Sequence, residues 1–228
     1  MAVDRNIVEW GDEPIVGWRS WNLSDDRSAP RLLPAGSGVD DAWQPLQAMT
    51  ARCGVPSILK LARRRHDAPD IGCSCGIYAS RSLEVTERPR PAWPPPCVVG
   101  TVALWGTVIE HELGWRGRSA YPARLRLVCS MCAWFEPGPG TPTSVHAFAG
   151  SFYTLCDVHR GGIQVPDGRR TRPTGLDPRM LQARLLDAYA VDLLPIDSVR
   201  PLFRRRRTPE PPAYVPSIRV VPVEDDLR

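Results

Sequence analysis

Two short patterns in the chain carry the residue types of a metal centre. Cys129-Ser-Met-Cys132 is followed, after 23 intervening residues, by Cys156-Asp-Val-His159. A two-residue spacing lets both ligands of a pair reach one ion from a single tight turn. Two such turns complete a tetrahedron. Thiolate and imidazole in a closed four-ligand set are the preference of zinc. RLRLV precedes the first pair and SFYTL the second, the layout of a zinc ribbon.

A second group is Cys53, His66, Cys73 and Cys75, with the last two in a C-x-C turn ahead of Gly76. Its spacing is irregular. Cys53 alone could be a buried thiol and His66 a surface histidine beside Arg65 and Asp67. Another arrangement pools Cys73 and Cys75 with Cys97, which otherwise reads as a core residue of its strand. The expected cofactor is Zn2+, two structural ions. Saturated Cys/His shells leave no open position for water or substrate, which argues against a zinc hydrolase. H-E-x-x-H, a Gly-rich phosphate loop, G-x-S-x-G and a Rossmann fingerprint are all missing from the sequence, so the reading leans away from an enzyme.

Other chemistry-bearing residues lie between these groups. Glu110-His111-Glu112 ends an apolar run, and on a strand its carboxylates share a face. With Trp105, Trp115 and Arg116 it could bind a ligand or work as acid and base, or it could be a hydrated strand end. Gly-Trp-Arg occurs at 17–19 and again at 114–116. Arg stacked on Trp can form a recognition surface, while most such tryptophans are core or core rim. Arg204, Arg205, Arg206 and Arg207 form a run suited to phosphate contact without sequence reading.

The elements that must position these groups are mainly strands. Residues 1–50 read as short strands and loops with four tryptophans. A short helix is expected within 53–66, and a tight knuckle at CSCGIYA leads into a strand. RPRPAWPPP (88–96) is an extended connector. CVVGTVALWGTVIE (97–110) is the clearest strand, with Gly100 and Gly106 as bulge or close-approach points. ARLRLV (123–128) alternates, EPGPGTPT is a loop, and 147–155 returns as a strand. A helix starts at an Asp177 N-cap with Pro178 in its first turn and carries Leu181, Leu185, Leu186 and Tyr189 as its apolar stripe. Little packed structure is expected after Pro201.

The stretch from Cys73 to Pro122 resembles a group of small proteins from actinobacteria and their phages. In that group a Cys-x-Cys-Gly-Ile-Tyr-Ala turn precedes a strand pair carrying Trp-Gly, Glu-His-Glu and Gly-x-Arg. Gly17-Trp18-Arg19 and Cys53 also fit it. The resemblance covers about half the chain and implies that Cys53, His66, Cys73 and Cys75 act together. It implies no activity.

Length and composition bound the answer. The chain has 228 residues, 43% hydrophobic and 24% charged, which permits a sizeable core. Of its 29 basic residues all but Lys60 are arginine, and there are 25 prolines, a bias of GC-rich bacterial or phage genomes. Residues 1–50 hold eight acidic against four basic residues, and residues 160–207 hold eleven arginines against five aspartates. The start is acidic without the apolar region of a secretory signal, and no apolar run approaches the length of about 18 residues that spans a bilayer. A soluble, cytoplasmic protein is expected, so disulfides are not.

These readings predict a β-rich α+β fold, a small twisted barrel-like sheet with zinc knuckles or a ribbon and one C-terminal helix. Residues 1–128 form the core, 129–165 the ribbon-like element, 166–200 the helix segment and 201–228 a flexible tail. The expected function is non-enzymatic zinc binding, either regulatory or in association with nucleic acid or a protein of the nucleic-acid machinery, without a membrane partner. A protein–protein adaptor capturing another factor is the alternative, and a small-ligand binder or enzyme built on Glu110-His111-Glu112 is the third.

Overall fold

The computed structural model describes residues 8–10, 13–34, 41–53, 66–83, 95–163, 170–204 and 218–221. Its frame is a long hairpin, β6 (Val98–His111) and β7 (Gly114–Leu127). On β6 every second residue from Val98 to Val108 is buried, because one face of a strand meets the core. Two irregularities bend the hairpin. One lies opposite Pro122, which has no N–H to donate to the ladder. The other lies between Trp105 and Val108, where Gly106 takes a φ of +74°. Both tighten the twist and help the sheet to curl.

Curling closes a ring. β2 (Ile15–Ser24) pairs antiparallel with β6 from Ile15 to Trp21, and β5 (Ile77–Ser80) bridges β7 back to β2. The order β6-β7-β5-β2 returns to β6. Further strands lean on this ring. β3 (Leu32–Pro34) pairs with β2, and β4 (Met49–Thr50) pairs with β7. β10 (Asp192–Leu193) pairs in parallel with β7. β11 (Ile218–Val221) pairs with β6, and β1 (Val8–Trp10) with β11. Residues 147–155 are a hairpin and not one strand: β8 (Ser144–Phe148) and β9 (Ser151–Leu155) flank a turn at Ala149 and Gly150, both at positive φ. Such a two-residue turn matches the twist of a hairpin. β9 then adds to the end of β2.

The fold is thus the expected β-rich α+β, a twisted sheet with a ring of strands. Helix α2 (Pro178–Tyr189) begins as read from the sequence, with Asp177 accepting from Arg179 N at 2.8 Å and Pro178 in the first turn. Pro178, Leu181, Leu185 and Tyr189 are buried, and Leu186 packs at the rim. The Tyr189 hydroxyl donates to Trp43 O at 2.5 Å and accepts from Leu32 N at 3.0 Å, fastening the helix to the sheet. Two shorter helices accompany it, α1 (Ser130–Trp134) and α3 (Ile196–Val199), the latter running into a 3-10 turn Arg200–Phe203. The segment after Pro201 was expected to hold little packed structure. Leu202 and Phe203 are instead buried, and the β-branched run Ile218–Val221 pairs with the sheet. The expected helix within 53–66 and the proline connector fall largely outside the described residues. Among the described residues, no helix is long and apolar enough to cross a membrane.

Candidate metal centres

Two Cys/His clusters form, and within each the ligand atoms all lie within 4.8 Å of one another. Each could hold a metal ion. They are the two groups visible in the sequence.

The second cluster is built where β7 and β9 end and α1 begins. Cys129 caps α1 and Cys132 sits inside its first turn, so the first pair rides on a short helix where the sequence suggested only a turn. Cys156 follows β9, and a turn closed by His159 N donating to Cys156 O brings the histidine back. The ends of β7 and β9 are joined by Thr154 Oγ1 donating to Val128 O at 2.6 Å. His159 Nδ1 stands 3.5, 3.5 and 3.3 Å from the sulfurs of Cys129, Cys132 and Cys156. Cys132 Sγ and Cys156 Sγ are 3.6 Å apart. The three cysteines are buried.

The loop after α1 closes over this cluster. A Cβ on Gly138 would lie 2.5 Å from Cys132 Sγ, so only glycine lets the backbone pass there. Phe203 O accepts from Gly138 N at 3.3 Å, and Gly140 O accepts from Cys129 N at 2.8 Å. Burial pushes the Cys129 and Cys132 thiols above their ordinary range. Backbone N–H groups act the other way, those of Cys132 and Cys156 on Cys129 and that of Gly140 on Cys132. Those N–H groups are aimed to stabilise thiolates once a cation draws off the protons.

The first cluster gathers Cys53 after β4, His66, and the C-x-C turn ahead of β5. Cys53 Sγ and Cys73 Sγ are 3.8 Å apart, and His66 Nε2 lies 3.3 Å from Cys75 Sγ. All four residues are half-buried. The turn is shaped by Asp70, whose Oδ1 accepts from Gly72 N and whose carbonyl accepts from Cys73 N. The backbone N–H of Cys75 is the main cause that draws the Cys73 thiol down to about 7, while burial raises that of Cys75.

Cys97 joins neither cluster. It is fully buried, and its thiol donates to Phe152 O at 3.3 Å. The residues of the Glu-His-Glu segment are engaged locally. Glu110 pairs with Arg81, which also lies over Trp115 with Cζ 4.9 Å from the ring centroid and donates to Glu112 O. His111 packs edge-on against Tyr78, its buried Nε2 has no hydrogen-bond partner among the described residues, and burial lowers its pKa. Trp105 is half-buried against the core. Arg204 is exposed, and Arg205, Arg206 and Arg207 lie outside the described residues.

Sequence reasoning missed the supports of both clusters. Glu136 Oε2 is 3.6 Å from His159 Nε2. Arg116 donates to the carbonyls of Cys73 and Cys75. The only hint of the first was the position of Glu136 at the head of a Pro/Gly loop, and of the second the repeated Gly-Trp-Arg. No protein-family model matches the chain, and no curated protein or solved structure shows a significant match to it.

Proposed function

We propose that the protein is a non-enzymatic zinc protein with two structural Cys3His centres, and that its basic surface meets nucleic acid or a component of the nucleic-acid machinery. The observation that carries the zinc reading is the spacing of the ligand atoms. Zn–S and Zn–N lengths of about 2.3 and 2.05 Å put the edges of a tetrahedron at about 3.8 Å for S–S and about 3.5 Å for S–N. Cys132–Cys156 and Cys53–Cys73 have S–S separations of 3.6 and 3.8 Å, His66–Cys75 and the three His159 pairs have S–N separations of 3.3 to 3.5 Å, and every remaining pair within a cluster lies within 4.8 Å. Three thiolates and an imidazole favour zinc over the harder cations, which prefer oxygen. Four protein ligands complete the shell, so the metal serves folding and not turnover. Metal analysis of the purified chain tests this: two zinc ions are expected.

Charge supports the nucleic-acid half of the proposal. The chain is +4 overall, and Arg160, Arg170, Arg172, Arg179, Arg184 and Arg200 are all exposed. Phosphate contacts release counterions, so binding to a duplex or a single strand must weaken steeply as salt rises. A mobility-shift titration at several salt concentrations checks it. Binding that ignores salt, or no binding at low salt, contradicts it.

One observation favours the adaptor reading. A groove of about 480 Å3 lies beside His159, lined by Met131, Phe135, Val158 and Ile163. Phe135 is 48% and Val158 69% exposed, unusual for large apolar side chains lining one groove. Protein capture that survives high salt and is lost in Phe135→Ser would support this second reading.

A further inference from the structure

The tripeptide Gly-Trp-Arg lies at 17–19 on β2 and at 114–116 on β7. β5 runs between these strands. Trp18 is opposite Ser80, and Trp115 is opposite Ala79, so the two copies flank one short strand from both sides. Their residues take matching roles. A Cβ on Gly17 would come within 2.7 Å of Ala79 Cβ, and one on Gly114 within 2.0 Å of Ala79 O. Glycine at both places lets β5 seat fully. Arg19 Nη1 donates to Tyr78 O at 2.5 Å, and Arg116 lies over the Tyr78 ring with Cζ 5.8 Å from its centroid.

Arg116 reaches further than its counterpart. Its Nη1 donates to Cys73 O and, at 2.9 Å, to Cys75 O. Those residues supply two of the four ligand atoms of the first cluster. Arg116 is buried and has no carboxylate partner among the described residues. A divalent ion with three thiolates and a neutral imidazole carries a net charge of about −1, and the guanidinium sits where it offsets that charge. β5 has four paired positions on β7 and one on β2, and among the described strands it is the link that closes the ring between them.

We propose that the two Gly-Trp-Arg copies form a clasp on β5, that Arg116 is the positioning residue of the first metal centre, and that a metal ion bound there locks β5 into the barrel. The proposal rests on the reading of Cys53, His66, Cys73 and Cys75 as a metal centre.

The full chain loaded with cadmium-113 should show two resonances in the thiolate range, assigned with Cys73→Ser and Cys132→Ser. In a chelator titration, Arg116→Gln should weaken the first centre about 10–100-fold and leave the second unchanged, the usual range for a residue that orients ligands. Arg116→Lys should recover part of the loss, keeping the charge without the planar fork. Equal affinity of the first centre in Arg116→Gln and in the unaltered chain overturns the proposal. If Arg116→Gln does not fold, amide hydrogen exchange in the unaltered chain and in Cys53→Ser decides. The amides of Ile77–Ser80 should lose protection when the first centre is empty, and unchanged protection overturns the proposal. Uptake of a single cadmium ion, at the second centre alone, would refute the metal reading of the first centre and the clasp with it. Two ions with an indifferent Arg116→Gln would refute the clasp alone.

Discussion

Glu136 Oε2 lies 3.6 Å from His159 Nε2, on the side of the ring turned away from the three sulfurs that face Nδ1. A carboxylate in that place favours the tautomer with its proton on Nε2, which leaves Nδ1 free to ligate. The histidine of the second cluster thus has a carboxylate on its outer side and three sulfurs on its inner side. Glu136 is well exposed, so its contribution lies in orientation more than in burial.

Glu136→Gln should therefore weaken metal binding at the second centre by about tenfold, near the low end for outer ligand partners. Chelator competition on the full chain measures it. The first centre should keep its affinity, since Glu136 does not touch it.

The two centres should differ in what their loss costs. The cysteines of the second centre are buried where β7, α1 and β9 meet, while the residues of the first are half-buried. Cys132→Ser should lower the melting temperature by about 6–12 °C, as a loss of a few kcal/mol does at about 2–4 °C per kcal/mol in a chain of this size. Cys53→Ser should lower it by less. Thermal unfolding of both variants, with and without added zinc, gives the comparison.

Alkaline pH should destabilise the fold through Cys97. Burial pushes its thiol up from 9.0 to about 12. Above pH 9 the unfolded chain gives up this proton and the folded chain keeps it. The free energy of unfolding therefore falls as pH rises from 9 towards 12 and is insensitive to this group below 9. Urea unfolding of the zinc-loaded protein at pH 8 and pH 10.5 should show the drop, and Cys97→Ala should reduce it.

Tyr189→Phe should cost about 1–3 kcal/mol, because Leu32 N–H and Trp43 O would lose a buried partner. Urea denaturation reads this directly. The change leaves both metal clusters untouched, so zinc content should stay the same.

Both Cys/His clusters were legible in the chain because such residues are read by type and spacing. Cys129, Cys132, Cys156 and His159 announce themselves through two x2 intervals. The long strand at 98–111 was legible from its β-branched run, and α2 from Asp177 and Pro178. The hairpin turn at Ala149-Gly150 was not, since apolar residues continue on both sides and alanine seldom signals positive φ. Nor was α1, whose five residues are too few for a helical period. Closure of the ring through β5 depends on one bridge between Trp18 and Ser80, a contact 62 residues apart in sequence that no local pattern encodes. The roles of Glu136 and Arg116 come from that same long-range folding. An exposed glutamate in a loop and an arginine on a strand gain a purpose only beside the ligands they support.

On the reading proposed above, each chain encloses two tetrahedral zinc ions. Native mass spectrometry of the full chain, purified without chelators and checked by elemental analysis, tests it most directly. Two zinc ions per chain, both lost only on acidification or on thiol modification, is the predicted result. A metal-free chain that keeps its fold, or a chain that takes up no more than one ion in excess zinc, would contradict it.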